Sequence, residues 1–275
     1  MPTRRKGFDN GFLGGNVPDP IVRPHYSDDL LVVRGRSRFN YTHFSLAMSA
    51  GRRLARWVAW NIDGDNLFPS EIPGIEFFVD RRIGAEYQLD DSIYERNRFD
   101  RGHIARRADL LWGSLDEATR ANNDSFSYAN ITPQMDDFNQ SGKAGIWGLL
   151  ELAILEHLRK TDVDQRRVSV IGGPVLADDD PLYRGILVPR QFWKLVLYRL
   201  DDNQRVRSFV LKQDPDLRSL DDFDFSTFST YEESIESLSE LVGLNFGLDQ
   251  WAGDPVTRQL IKGGRVVKSV ADIEW

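Results

Sequence analysis

The stretch FDRGHIARR, residues 99–107, sets one of only four histidines in a knot of arginine. From 96 to 107 the charged side chains are Arg96, Arg98, Arg101, Arg106 and Arg107 against a single acid, Asp100. Imidazole is the side chain whose unperturbed pKa lies nearest neutral pH, so His103 can take a proton from an attacking water there. Guanidinium stays charged and matches the plane of two phosphate oxygens, which suits Arg101. These are two of the parts that phosphodiester hydrolysis needs. On charge alone, a solvated surface accounts for the arginine cluster equally well.

The rest of the chain narrows the chemistry. Its 275 residues carry a net charge of −7, so the basic strip is local and the body acidic, which argues against a purely electrostatic nucleic-acid binder. There is no cysteine, which removes disulfides and thiolate metal sites. His25, His43 and His157 show no HExxH spacing, and no G-x-S-x-G occurs, so neither a zinc hydrolase nor a serine hydrolase is supported. His43 lies in an aromatic strand candidate, where a hydrogen-bonded core role is expected.

Downstream of DRGH come FSYANITPQMDDFNQ, 126–140, and IWGLLE, 146–151. In this order the three segments resemble the DNA/RNA non-specific endonuclease family, the sugar-non-specific nucleases with a ββα-metal site. VSVIGGPVL and VPRQFWKLVL are similar to that family's later core strands, so the resemblance spans roughly residues 40–200. It implies a Mg²⁺-dependent endonuclease, with Mn²⁺ as an alternative ion, that cuts DNA and RNA with little sequence preference and leaves 5′-phosphate ends. It makes His103 the general base and Asn139 the single direct protein ligand of the ion. Glu151 then accepts hydrogen bonds from the ion's waters and Asn130 orients the site. Arg101 faces the phosphate. The second arginine that the family places upstream falls on Arg82, with Arg81 adjacent. Arg106 and Arg107 are candidates for a further phosphate grip, and Asp100 for ordering the loop.

These residues need a scaffold. The expectation is a mixed α/β (α+β) single domain: a central sheet, strands before and after a central helix, and a ββα-metal motif. Residues 1–25, rich in Gly, Pro and Asn, read as an extended arm, and 26–275 as the nuclease domain with an acidic C-terminal part. Strands are expected at 39–47, over WVAWNI, at 75–80, 125–131, 167–176 and 186–200. Helices are expected at 115–123, from Ile146 onward through Trp147, Leu150, Ile154 and Leu158, and at 231–244. Asn139 and Glu151 are twelve residues apart. On one straight helix they would point about 120° apart, so the glycine-containing insert must bend the chain or Asn139 must precede the helix.

WGLLELAILEHL is interrupted by Glu151 and Glu156 and is too short to span a bilayer, and no signal-peptide pattern opens the chain. The expectation is a soluble protein, cytoplasmic or exported without a signal, with DNA and RNA as substrates and no membrane partner. A nuclease loose in a cytoplasm endangers its owner, so an inhibitor or regulatory protein and a homodimer are the other partners to look for. The rival reading is a catalytically silent nucleic-acid-binding or interaction protein on the same fold.

Overall fold

The computed structural model describes residues 5–140, 146–160, 166–213, 229–248, 251, 265–267 and 272–273. The central sheet has strands β1 (Phe39–Asn40), β2 (Phe44–Met48), β3 (Ala55–Asp63), β6 (Arg167–Pro174), β7 (Gln191–Leu200), β8 (Asn203–Lys212), β9 (Ser229–Glu232) and β10 (Arg265–Val267). Their spatial order is β10-β9-β8-β7-β6-β3-β2-β1, and every neighbouring pair is antiparallel. A separate two-stranded ladder, β4 (Phe99–His103) with β5 (Ile131–Met135), carries the DRGH motif.

Every residue of β3, ARWVAWNID, is buried. A strand covered on both faces reads as a continuous apolar run rather than an alternation. Val58, Trp60 and Ile62 enter one core, with Tyr128, Ile131 and Trp147. Trp57 and Ala59 enter a second core on the opposite face, with Trp193, Leu238 and Phe246. The N-terminal arm closes that second core: Phe8, Leu13 and Val17 are buried in it. The helices are α1 (Arg107–Leu110), α2 (Leu115–Ser125), α3 (Asp136–Asn139), α4 (Ile146–Lys160) and α5 (Ile235–Val242). Trp147, Leu150 and Ile154 recur on one face of α4 and are all buried. Ser114 caps α2 by accepting from Glu117 N at 3.3 Å.

Several expected elements are placed differently. Residues 75–80 form no strand; one isolated bridge, Phe78 to Ser127, holds that segment. The expected strand at 125–131 is a 3₁₀ turn, Tyr128–Asn130, and the strand proper runs on from Ile131 through Pro133. A two-stranded ladder tolerates a proline because one of its edges needs no donor. Strand β8 had no counterpart in the sequence reading. The expected helix at 231–244 splits: residues 229–232 pair with β8, and the helix begins after the Ser234 cap. Most of the insert after Asn139, residues 141–145, and the His157 side chain lie outside the described residues. No helix among the described residues is long and apolar enough to cross a membrane.

Candidate active site

Alternation along β4 puts Arg101 and His103 on one face of the ladder and Asp100 and Gly102 on the other. A Cβ on Gly102 would collide with the Gln134 side chain of the partner strand, which would have to move aside. The Gln134 carboxamide is wholly buried, and neither its nitrogen nor its oxygen has a hydrogen-bond partner among the described residues.

His103 sits between two rings, 5.8 Å from the centroid of Phe77 and 5.5 Å from that of Phe126, the latter edge-on. Its Nε2 is buried without a hydrogen-bond partner among the described residues. Burial, and then the nearby Arg107 cation, push its pKa down to about 4, so the ring is neutral at physiological pH. Arg107 is itself held by the Asn122 side chain, Nε to Oδ1 at 2.6 Å, and lies over Phe126.

Arg101 lies over Tyr94 and Phe77 and donates from Nε to Asp91 Oδ1 at 2.7 Å. The Tyr128 hydroxyl donates to that same oxygen. These two donors, Tyr128 first, hold the Asp91 carboxyl below its ordinary range. Phe77, Tyr94, Asp91, Phe126 and Tyr128 had no assigned role in the sequence reading. The only signal available was the aromatic density of IEFFVD and FSYANI.

Asn139 is the last residue of α3 and precedes α4, separated from it by the insert, which is one of the two geometries its spacing from Glu151 demanded. Its Nδ2 donates to Asp100 Oδ2 at 3.1 Å, and Gln140 Nε2 donates to the same oxygen at 2.7 Å. With the nitrogen so engaged, the amide oxygen is left without a partner among the described residues. A neutral oxygen beside a carboxylate is a hard donor set of the kind Mg²⁺ accepts while keeping most of its waters.

The remaining candidates divide. Asn130 is fully buried and spends its amide on backbone: Oδ1 accepts from Ala105 N at 2.9 Å, and Nδ2 donates to Ala105 O and Ser125 O at 3.0 and 3.1 Å. It ties the segment after His103 to the end of α2. Glu151 faces inward, accepting from Lys194 Nζ at 2.7 Å with Arg106 Nε 3.5 Å from its other oxygen. Lys194 is fully buried, 3.8 Å over the Trp147 ring. Arg106 NH1 also lies 3.9 Å from Asp109, whose pKa burial raises to about 6. Arg82 grips Asp80 and lies over Tyr41, contacts outside the β4–β5 ladder. Arg81 is exposed. His43 does have the core role expected, its Nδ1 2.8 Å from Leu110 O and its ring stacked on Trp112.

The antiparallel ladder with His103 is followed directly by the short helix α3, which ends at Asn139. The chain belongs to the DNA/RNA non-specific endonuclease family, whose pattern matches residues 23–250. It is 31% identical to an uncharacterised protein, y4fB, of Sinorhizobium fredii, over 98% of this chain but 43% of that one. Thus the chain spans less than half the length of this relative. It is 26% identical to a nuclease of Nostoc, over 74% of this chain and 70% of that protein. Bovine mitochondrial endonuclease G is 25% identical over 67% of this chain and 61% of its own. The fold is that of EndoG in its crystallographic complex with EndoGI: TM-score 0.58, 20% identity, 76% of this chain and 84% of that one.

Proposed function

We propose that this protein is a Mg²⁺-dependent endonuclease that hydrolyses the phosphodiester backbone of DNA and RNA with little sequence preference. The observation that carries the reading is His103: a neutral imidazole with an unpartnered, buried Nε2, on the same ladder face as Arg101. In this reading His103 takes the proton of a water whose oxygen attacks phosphorus. The P–O3′ bond breaks and the departing O3′ takes a proton from solvent water, giving a 5′-phosphate and a 3′-hydroxyl. Arg101 binds the phosphate oxygens in place of Asp91. Burial, with the Arg107 cation adding to it, keeps the imidazole unprotonated. Asn130 fixes the turn after His103, and Asp100 aims the Asn139 amide.

Asn139, through Oδ1, is the residue that would hold Mg²⁺ or Mn²⁺; the ion supplies charge for the scissile phosphate and the departing oxygen. Glu151 is a positioning residue in this scheme, acting through Arg106, which follows His103 by three residues. Arg82 orders Asp80 and Tyr41 rather than touching substrate. None of these groups reads a base edge, which supports low sequence preference. EndoG is inhibited in its complex with EndoGI, so an inhibitor protein is a reasonable partner to seek for this chain too.

The test is digestion of single-stranded DNA, double-stranded DNA and RNA with Mg²⁺, with EDTA and with the variant His103→Ala. Cleavage of all three, abolished by EDTA and by the substitution, is expected. Full activity of His103→Ala removes the assigned base, and a gel shift without cleavage by the unaltered chain favours a silent binder.

A further inference from the structure

Beside the ladder a short hairpin, Leu182–Tyr183 with Ile186–Leu187, turns through Arg184 and Gly185. Both turn residues have positive φ, 47° and 81°, the two-residue turn that follows the twist of its strands and keeps the tip in one place. The hairpin is fastened to the chain that enters β4. The Tyr183 ring meets Phe99, the first residue of β4, edge-on at 5.4 Å, and its hydroxyl accepts from Asn97 Nδ2 at 3.1 Å. At the base of the hairpin Arg52 donates to Leu187 O at 3.0 Å and pairs with Asp180.

The tip reaches the turn that holds Arg101. Arg184 NH1 donates to Ser92 O, and the preceding residue, Asp91, accepts from Arg101 Nε at 2.7 Å. Two guanidinium groups thus meet adjacent residues of one 3₁₀ turn, Asp91–Ile93, whose Cα atoms are about 3.8 Å apart. One nucleic-acid strand repeats its phosphates on that scale, about 3.4 Å along the axis of a duplex. The two holds differ. Arg101 faces a carboxylate. Arg184 is exposed, lies 5.1 Å over Tyr183 and has a neutral carbonyl as its partner, with no carboxylate within ion-pair distance among the described residues. An anionic oxygen binds guanidinium more strongly than a carbonyl does, and a phosphate offers two of them in one plane. A phosphate therefore displaces Ser92 O without breaking an ion pair. The acids of the turn are already engaged. Asp90 Oδ1 accepts from Ser92 N and Oγ at 2.9 and 2.5 Å, bonds that, with Arg53 nearby, hold its carboxyl below the ordinary range. Asp91 holds Arg101 and the Tyr128 hydroxyl. Arg53, Arg101 and Arg184 stand against these two carboxylates, and Glu95 and Arg96, exposed just beyond, offset each other, so the patch keeps a cation in excess.

We infer that Arg184 is a second phosphate contact for the substrate strand: it binds a phosphate neighbouring the scissile one, while Arg101 binds the scissile phosphate itself. The inference rests on the nuclease reading for which phosphate is cut. It makes the hairpin tip a determinant of substrate length, favouring strands that continue past the cut on the Arg184 side, whatever their bases.

The experiment measures cleavage of a single-stranded DNA oligonucleotide with Mg²⁺ by the full chain, by Arg184→Gln and by Arg184→Lys. Arg184→Gln should raise KM about fivefold with kcat within about twofold. It should also flatten the plot of log(kcat/KM) against log salt by about 0.7, the slope of one phosphate on a single strand. Arg184→Lys, which keeps the charge, should recover most of the KM. An unchanged KM overturns the proposal. A fall in kcat that lysine does not restore, with a lowered thermal midpoint, overturns it too, because the hairpin then serves only as structure. Binding separates this inference from the nuclease reading. Fluorescence anisotropy of the labelled oligonucleotide in EDTA compares the full chain carrying His103→Ala with the same chain carrying Arg184→Gln as well. Loss of affinity with the same loss of salt slope supports the contact, even where the unaltered chain cuts nothing and the nuclease reading alone sinks. Equal affinities and slopes, or no binding by either chain, overturn the contact whatever the unaltered chain cuts.

Discussion

Arg101 and Asp91 form a charge-assisted pair, Nε to Oδ1 at 2.7 Å, although ten residues separate them and the Asp91 side chain is 60% exposed. The guanidinium assigned to the scissile phosphate is therefore already occupied by an anion. Exposed pairs of this kind hold together by about 1 kcal/mol or less. Asp91→Asn should lower KM for DNA by up to about fivefold with little change in kcat, whereas Arg101→Ala should lower kcat/KM by about 10²–10³-fold. Steady-state kinetics on both variants checks this; an Asp91→Asn enzyme with raised KM would show that the carboxylate aids Arg101 rather than competing with substrate.

His103 titrates at about 4 in the folded protein, below its ordinary value of 6.5. The base form is the neutral one, so the acid limb of the rate–pH profile should fall below the usual histidine range. Arg107→Gln removes a neighbouring cation and should move that limb upward. The same shift governs stability. Between the two values the unfolded chain binds the extra proton, so stability rises with pH through that window and is lost as pH falls from 6.5 towards 4. His103→Phe should flatten this part of the stability profile, read by urea unfolding at a series of pH values.

The Asn130 side chain makes three hydrogen bonds to backbone and none to another catalytic candidate. Asn130→Ala strands those groups in a fully buried position, at a cost of about 2–4 kcal/mol. The thermal midpoint should fall while the pH dependence of the residual activity keeps its shape. A folded variant of unaltered midpoint with no activity would instead mean that the amide touches substrate.

Lys194 and Glu151 are buried partners. Lys194→Met leaves the buried Glu151 carboxylate with only the more distant Arg106 and should destabilise by about 3 kcal/mol. Glu151→Gln in the same chain should recover part of that loss, so the double variant is more stable than additivity predicts. Chemical denaturation of the four species measures the coupling.

For Asn139, Ala at this position should raise the Mg²⁺ concentration for half-maximal activity by at least about tenfold. Metal titration of initial rates checks this. An unchanged titration would remove Asn139 as the ion's ligand.

What the sequence made legible were features with a local cause. The α4 stripe of Trp147, Leu150 and Ile154 and the all-buried β3 announce themselves by period and length. The DRGH motif and Asn139 lie on the same ladder-and-helix unit, as the order of the motifs implied. Strand β8 was missed because its signal is a turn: Asp201 and Asp202 both have positive φ, the conformation of a two-residue hairpin, but the pair lacks the glycine that usually marks one. The inward turn of Glu151 and Arg106 was not legible either. Their partner Lys194 is remote in the chain, and a lysine in QFWKLVL gives no sign of which carboxylate it will meet. Phe77 reaches the site from a loop and Asp91 from a one-turn 3₁₀ helix, Asp91–Ile93, segments too short to carry a period.

Asp63 and Arg167 are register partners at the ends of β3 and β6, so everything from the DRGH ladder to α4 is an excursion between two adjacent strands. Closing so long a loop is entropically slow, and contacts of this separation form late. During synthesis, the segment bearing His103 and Asn139 leaves the ribosome well before the strand that fastens its base, and Lys194 follows later still. Under the proposed function, a nascent chain carries His103 and Asn139 before the frame that aligns them exists, so translation order would delay the onset of cleavage.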